Sequence, residues 1–311
     1  MATPLVREEP RLDLIVAGHT NIDRILRVEE LPAPDRTVPL VGQRTILGGT
    51  AATLARIASR SGVRTGLVSR VGLDFPEAFV AELRRDAIDL SGLERVPDSI
   101  SPTCYIIEDA HGHQVTFIHQ GPMDSAEDAF VPEELLASGQ WLHLTTGPPT
   151  WQLKLKEAAR ARGLRVAVDP AQEIHYRWPA CQLRELLRGS EMLFGNELEV
   201  RDILRLLKLK RPEELLPTVP VVIMTRGAKG VVAYTRAETL RVPVPELRGP
   251  VQVTGAGDSF RGGFYAAFFE GRALRDAIVE GTRVAQSWMR QATEARSPRG
   301  ASRSRPRPGS P

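Results

Sequence analysis

Short apolar runs rich in β-branched residues alternate along the chain with segments whose apolar positions recur every three to four residues. The runs at 12–17, 65–71, 141–145, 165–169, 192–194 and 219–225 predict buried strands. The periodic segments 49–61, 76–86, 151–162, 197–207, 255–269 and 274–290 predict helices. Alternation of this kind predicts an α/β domain with a mostly parallel sheet covered by helices on both faces. Two regions break the pattern. Residues 24–47 contain short extended pieces punctuated by Pro32, Pro34 and Pro39. Residues 103–119 read as a hairpin turning through Asp109-Ala110-His111-Gly112-His113. Neither has a neighbouring helix to cover it. Together they predict a small antiparallel sheet projecting from the body as a lid, the plainer alternative being an edge hairpin packed on the body.

Composition adds little and excludes several classes. A chain of 311 residues with 42% hydrophobic and 25% charged residues suits one large soluble domain. No apolar run approaches the roughly 18 residues a membrane span needs. The first eleven residues lack the apolar core of a secretory signal, so the expected location is cytoplasmic. Cys104 and Cys181 stand far apart, outside metal-ligand or disulfide spacing, and are expected to be reduced packing residues. The charge has a local origin. From Arg290 onward there are six arginines and one acid, so this end carries +5 and the rest of the chain −2. The folded body is therefore expected over 12–290. Residues 291–311 read as a basic, disordered tail able at most to adhere weakly to nucleic acid.

The chemistry concentrates in Val251-Gln252-Val253-Thr254-Gly255-Ala256-Gly257-Asp258-Ser259-Phe260, where an extended approach meets small residues and then a helix. Exposed amides and the positive helix end favour an anion there. Asp258 fits either a dipole-complementing cap or a base beside a bound phosphoryl group. The segment is neither a P-loop nor a dinucleotide fingerprint, because no lysine-bearing G-x-x-x-x-G-K-[ST] occurs and Phe260 fills the sixth position. Asp23 follows a buried strand, where α/β sheets place ligands, but also fits an Asx turn. Asn196 and Glu199 form a capping pattern. Gly227 and Gly230 suit a hairpin between 221–225 and 231–234.

Thr-Gly-Ala-Gly-Asp-Ser-Phe resembles the C-terminal signature of ribokinase-like (PfkB) carbohydrate kinases, and four further motifs occur in that family's order. Gly18-His19-Thr20-Asn21-Ile22-Asp23 is similar to its first-strand motif, and Gly48-Gly49-Thr50-Ala51-Ala52-Thr53 to its glycine pair. Asn196-Glu197-Leu198-Glu199 is similar to its N-x-x-E motif, and Thr225-Arg226-Gly227-Ala228-Lys229-Gly230 to its nucleotide-binding turn. The resemblance implies a three-layer ribokinase-like fold with a β lid and phosphoryl transfer from ATP, or ADP, to a hydroxyl of a sugar-containing molecule. Asp258 would be the base, with Gly255, Ala256 and Gly257 as the anion hole. Asn21, Asp23, Gly48, Gly49 and Thr53 would bind the acceptor. Asn196, Thr225, Gly227 and Gly230 would bind the nucleotide, and Glu199 would organise Mg2+ through water. It further implies a homodimer through the lid.

The sequence departs from the family at Thr53, where many members have Asn, and at Gln252, where many have an Asp associated with a monovalent cation; that cation is therefore in doubt here. Asp169-Pro170-Ala171-Gln172 and His119-Gln120-Gly121-Pro122 resemble nucleoside-type members. A nucleoside or ribose-1-phosphate kinase is thus one alternative, and a non-catalytic binder another. His143 and His175 are expected to be structural.

Overall fold

The apolar runs become the centre of a nine-stranded sheet in the computed structural model, which describes residues 11–124, 130–245, 247 and 254–294. In chain order the first elements are β1 (Leu12–Ala17), β2 (Asn21–Arg27), β3 (Gly42–Gly48), α1 (Thr50–Arg60), β4 (Thr65–Gly72), α2 (Glu77–Arg85) and β5 (Asp89–Val96). Then come β6 (Thr103–Glu108), β7 (Gln114–His119), α3 (Glu133–Ala137), β8 (Gly139–Leu144), α4 (Pro149–Ala161), β9 (Arg165–Val168) and α5 (Ala180–Leu187). The last are β10 (Met192–Asn196), α6 (Glu197–Leu207), β11 (Val221–Thr225), β12 (Val231–Thr235), β13 (Thr239–Val242), α7 (Ala256–Phe269) and α8 (Leu274–Glu294).

The large sheet has the order β13-β12-β11-β10-β9-β8-β1-β4-β5. It is parallel from β11 through to β5, and at one edge β12 pairs antiparallel with β11 and β13 antiparallel with β12. Two cores lie on its two faces. One joins Leu142, Leu144 and Val168 to Trp151 and Leu155 of α4, Leu183 of α5 and Ile203 of α6. The other joins Leu14, Val16 and Ile223 to Leu54 of α1, Leu83 of α2, Phe264 of α7 and Ile278 of α8. Helices on both faces explain why the central strands read as continuous apolar runs rather than alternating ones.

The second sheet has the order β3-β2-β6-β7. It forms from the two regions that broke the helix–strand alternation. Its outer pairs are antiparallel hairpins, but its central pair, β2 with β6, is parallel. The reason is topological. Both strands leave the body in the same direction, β2 after β1 and β6 after β5, and each returns by its own hairpin partner. The 109–113 turn forms as expected. Asp109 accepts from the amides of His111 and His113, and Gly112 takes a positive φ of 89°.

The final helix runs to Glu294, four residues beyond the end expected from the sequence. Gln252 and its neighbours 251 and 253, and the tail from 295, lie outside the described residues. No helix among the described residues is long and apolar enough to cross a membrane.

Candidate active site

The N-terminus of α7 is built on Gly255, whose φ of 78° and ψ of 1° place it in the left-handed region open to glycine. The indole of Trp288 packs over it, and its N–H donates to the Thr254 carbonyl at 3.0 Å. A Cβ on Gly255 would lie 3.0 Å from that indole nitrogen. The next amides begin a helix and have no intrahelical acceptor, so they and the dipole favour an anion at this point. Asp258 stands in the first turn with its side chain only 12% exposed. Burial pushes its carboxyl well above the usual range, and the nearby Glu199 and Asp23 carboxylates push the same way. One turn on, the buried Arg261 contacts both Asp258 and the fully buried Asp169. A cation in contact with a carboxylate favours its charged form, and burial lowers the pKa of this guanidinium to about 10. Asp169 also accepts from the Ala171 amide at 2.9 Å.

Two cavities meet at this turn. A cleft of about 390 Å³ lies beneath the small sheet, and its wall includes Asn21, Asp23, Gly48, Gly49 and Thr53. A pocket of about 180 Å³ lies over the C-terminal ends of β10 and β11, with Asn196, Glu199, Thr225 and Gly257 in its wall. Gly255 and Asp258 line both. Position at the carboxyl ends of parallel strands is where open α/β sheets bind ligands.

In the larger cleft, Asp23 has one carboxylate oxygen buried without a hydrogen-bond partner among the described residues. Burial raises its pKa to about 6, partly offset by the Cys104 thiol. The carboxylate lies against Gly48, where a Cβ would come within 2.1 Å of Asp23 Oδ2, so only glycine permits this approach. Asn21 Nδ2 donates to Cys104 Sγ at 3.3 Å. Burial pushes that thiol up to about 12. The expectation that both cysteines are packing residues therefore needs correction: Cys104 lines the cleft, and Cys181 is exposed. Behind the cleft, His19 spans Thr146 Oγ1 at 2.8 Å and Gln120 Oε1 at 2.6 Å, while Thr50 reaches Thr146 Oγ1 at 2.6 Å. This network joins the end of β1 to the start of α1 and to the loop after β8. Burial lowers the His19 pKa, favouring the neutral ring.

In the smaller pocket, Asn196 Oδ1 accepts from the Leu198 and Glu199 amides at 2.9 and 3.0 Å, and the Asn196 amide donates to Glu199 Oε2 at 2.7 Å. The capping box thus aims Glu199 into the pocket. Burial raises its pKa, opposed first by the Asn196 amide and then by His175. No cluster of three or more metal-ligating side chains occurs among the described residues. A single carboxylate suits Mg2+, which keeps its waters and relies on substrate phosphates for its other ligands.

Of the other residues singled out in the sequence, Thr225 is in the pocket wall, whereas Gly227 and Gly230 are not. They shape the turn from β11 to β12, where Arg226 and Lys229 pair with Glu197 at 3.2 and 3.7 Å. Ala256 opens α7 without lining either cavity. His143 is buried in the core against Tyr265 OH at 2.7 Å, in keeping with a structural histidine. Sequence reading missed Arg261, Trp288 and Arg44, and marked Asp169 only as part of a nucleoside-type segment, with no role beside Asp258. Only Arg261 carried a local signal, a basic residue three positions after Asp258 and hence on the same helix face.

The pfkB family carbohydrate kinase model matches residues 11–299. A nucleoside kinase of Methanothermobacter thermautotrophicus is 33% identical over 266 residues, covering 85% of this chain and 84% of the relative. A cytidine kinase of Thermococcus kodakarensis is 31% identical, covering 90% and 97%. Among solved structures, the nucleoside kinase of Methanocaldococcus jannaschii superimposes with a TM-score of 0.82 at 28% identity, covering 90% of this chain and 93% of that one. The chain belongs to the pfkB family of carbohydrate kinases and is a phosphotransferase whose acceptor is the hydroxyl of a sugar or nucleoside.

Proposed function

We propose that the protein transfers the terminal phosphoryl group of ATP to a hydroxyl of a nucleoside, with Asp258 as the base. The observation that carries this reading is that Asp258 and Gly255 line both cavities, one suited to an acceptor and one to phosphates. The nucleoside and cytidine kinases among the relatives point to the same acceptor class, and kinases of this family use ATP as co-substrate. Asp23, Asn21, Gly48, Gly49 and Thr53 orient the acceptor. Asp258 takes the hydroxyl proton as the oxygen bonds to the terminal phosphorus, and the bond from that phosphorus to the bridging oxygen breaks to release ADP. The amides of the Gly255, Ala256 and Gly257 turn receive charge developing on the transferred group.

Asn196 and Thr225 bind the nucleotide side, the Gly227 and Gly230 turn would meet the nucleotide beyond the pocket wall, and Glu199 would hold the hydration shell of a magnesium ion. When bound, that ion neutralises phosphate charge. The small sheet acts as a lid that keeps water from competing as acceptor. The kinase domain occupies residues 12 to about 294 in this reading, with the basic segment beyond it as a separate tail. A panel of ribose, ribose-1-phosphate and nucleosides, each with ATP or ADP as donor, tests the proposal through nucleotide consumption. Turnover of nucleosides with ATP is expected. Nucleotide binding with no turnover on any acceptor would overturn it.

A further inference from the structure

Three guanidinium groups stand in the wall of the larger cleft: Arg44, Arg56 and Arg60. Two of them have partners. Arg56 pairs with Asp86 at 2.7 Å and Glu82 at 3.1 Å, and Arg60 with Asp86 at 2.9 Å. Arg44 is different. Its Nε is buried and has no hydrogen-bond partner among the described residues. A buried donor left unmade costs free energy unless a ligand completes it.

Its position along the lid is informative. Successive residues of a strand face opposite ways, so Gly48, Ile46 and Arg44 of β3 share the face that lines the cleft. Gly48 lies against the Asp23 carboxylate. Arg44 is four residues away, roughly 13 Å along an extended strand. A molecule that engages Asp23 and Asp258 and extends beyond one sugar ring along this face runs toward Arg44. Between these ends the wall is apolar. Ile25 pairs across from Arg44, Ile46 across from Asp23, and Ile106 across from Ile25. Flat apolar walls suit a planar heterocycle. They suit a phosphate poorly, because beside the isoleucines it would meet Arg44, while Arg56 and Arg60 are already paired with acids. At the far end, Gln114 and Thr116 add polar groups, with Gln114 Nε2 already donating to Thr116 Oγ1 at 3.0 Å.

Resting on the nucleoside reading above, we infer that Arg44 is a specificity residue that selects nucleosides whose base presents two neighbouring hydrogen-bond acceptors. A guanidinium only donates, in a rigid planar fork. It matches the carbonyl and ring nitrogen of a 6-oxopurine, or the O2 and N3 of cytosine. Adenine places an amino donor beside each of the acceptors on its outer edge and is the mismatched base.

The test is kcat/KM for cytidine, inosine and adenosine in the wild type, Arg44→Lys and Arg44→Met. Melting temperature and ADP binding confirm that each variant is folded. The wild type favours cytidine and inosine over adenosine by about tenfold or more. In Arg44→Met that preference collapses to within about threefold, chiefly through KM, and Arg44→Lys falls between, since an ammonium lacks the fork. Nucleoside turnover with the preference intact in Arg44→Met, or an equal loss on all three, would overturn the assignment of Arg44 alone. A wild type that phosphorylates ribose or ribose-1-phosphate but no nucleoside would overturn both this assignment and the nucleoside reading.

Discussion

Asp23 and Asp258 are carboxylates held in places that resist their charge, and this shapes both reactivity and stability. Asp23 titrates near 6 because burial raises it from an ordinary 3.8. A carboxylate raised on folding leaves the folded state fully stable below its unfolded pKa, and that contribution is lost as pH rises through about 6. Asp23→Asn should therefore raise unfolding free energy at pH 7.5 by up to about 3 kcal/mol, a gain that shrinks as pH falls from 6 toward 4, while turnover drops. Denaturant titration of the ligand-free protein at several pH values measures this. An unchanged or lowered stability at pH 7.5 would contradict it.

Arg261 acts in the other direction on Asp258. The groups facing it are Asp169 from the end of β9, Glu199 from α6, Asp23 from β2, and Tyr265 and the neutral His143 of the core. Removing the guanidinium in Arg261→Gln leaves Asp258 with burial and two carboxylates that all favour its protonated form. The acidic limb of kcat/KM against pH should move to higher pH, with partial recovery of rate in alkaline buffer and partial rescue by Arg261→Lys. A lowered rate with an unmoved limb would show that Arg261 only packs.

At the scale of elements, legibility followed periodicity and burial. β1 and α6 were found to the residue, because one is a continuous apolar run and the other opens with an asparagine cap and a glutamate three positions later. β5 was missed. It is an edge strand with Ser91-Gly92 at its middle and mostly half-buried positions, so neither alternation nor a run marks it. The lid was recognised by what it lacked, a covering helix, but the parallel pairing of β2 and β6 depends on how the body launches both strands and leaves no local trace. The site divides in the same way. Asp258 and its glycines are contiguous in sequence. The approach of Arg44 to the cleft, and of Asp169 to Arg261, exists only once distant segments have met.

The lid also carries an untested surface. On the face away from the cleft, Tyr105, Val115 and Phe117 are exposed, and Arg24 stands over the Tyr105 ring at 5.9 Å. An apolar face of this kind is what the lid homodimer implied by the family resemblance would bury. Phe117→Asp should then shift the protein from dimer to monomer in sedimentation. A wild type that sediments as a monomer at micromolar concentration would contradict that arrangement.

The whole molecule brings its two sheets and its last two helices to one point. The strand ends of the large sheet supply Asn196 and Thr225, the first turn of α6 supplies Glu199, the lid supplies Asp23 and Arg44, and α8 closes the turn with Trp288. The chemistry sits at the ends of strands and the first turns of helices, because the buried sheet fixes where those ends emerge. The account stands on Asp258 at the meeting of the acceptor and phosphate cavities. Kinetics of Asp258→Asn with a nucleoside and ATP, alongside its affinity for ADP, test that most directly. The expected result is a kcat reduced about 100-fold or more with ADP affinity within a few-fold of wild type. Turnover at the wild-type rate in that variant would contradict it.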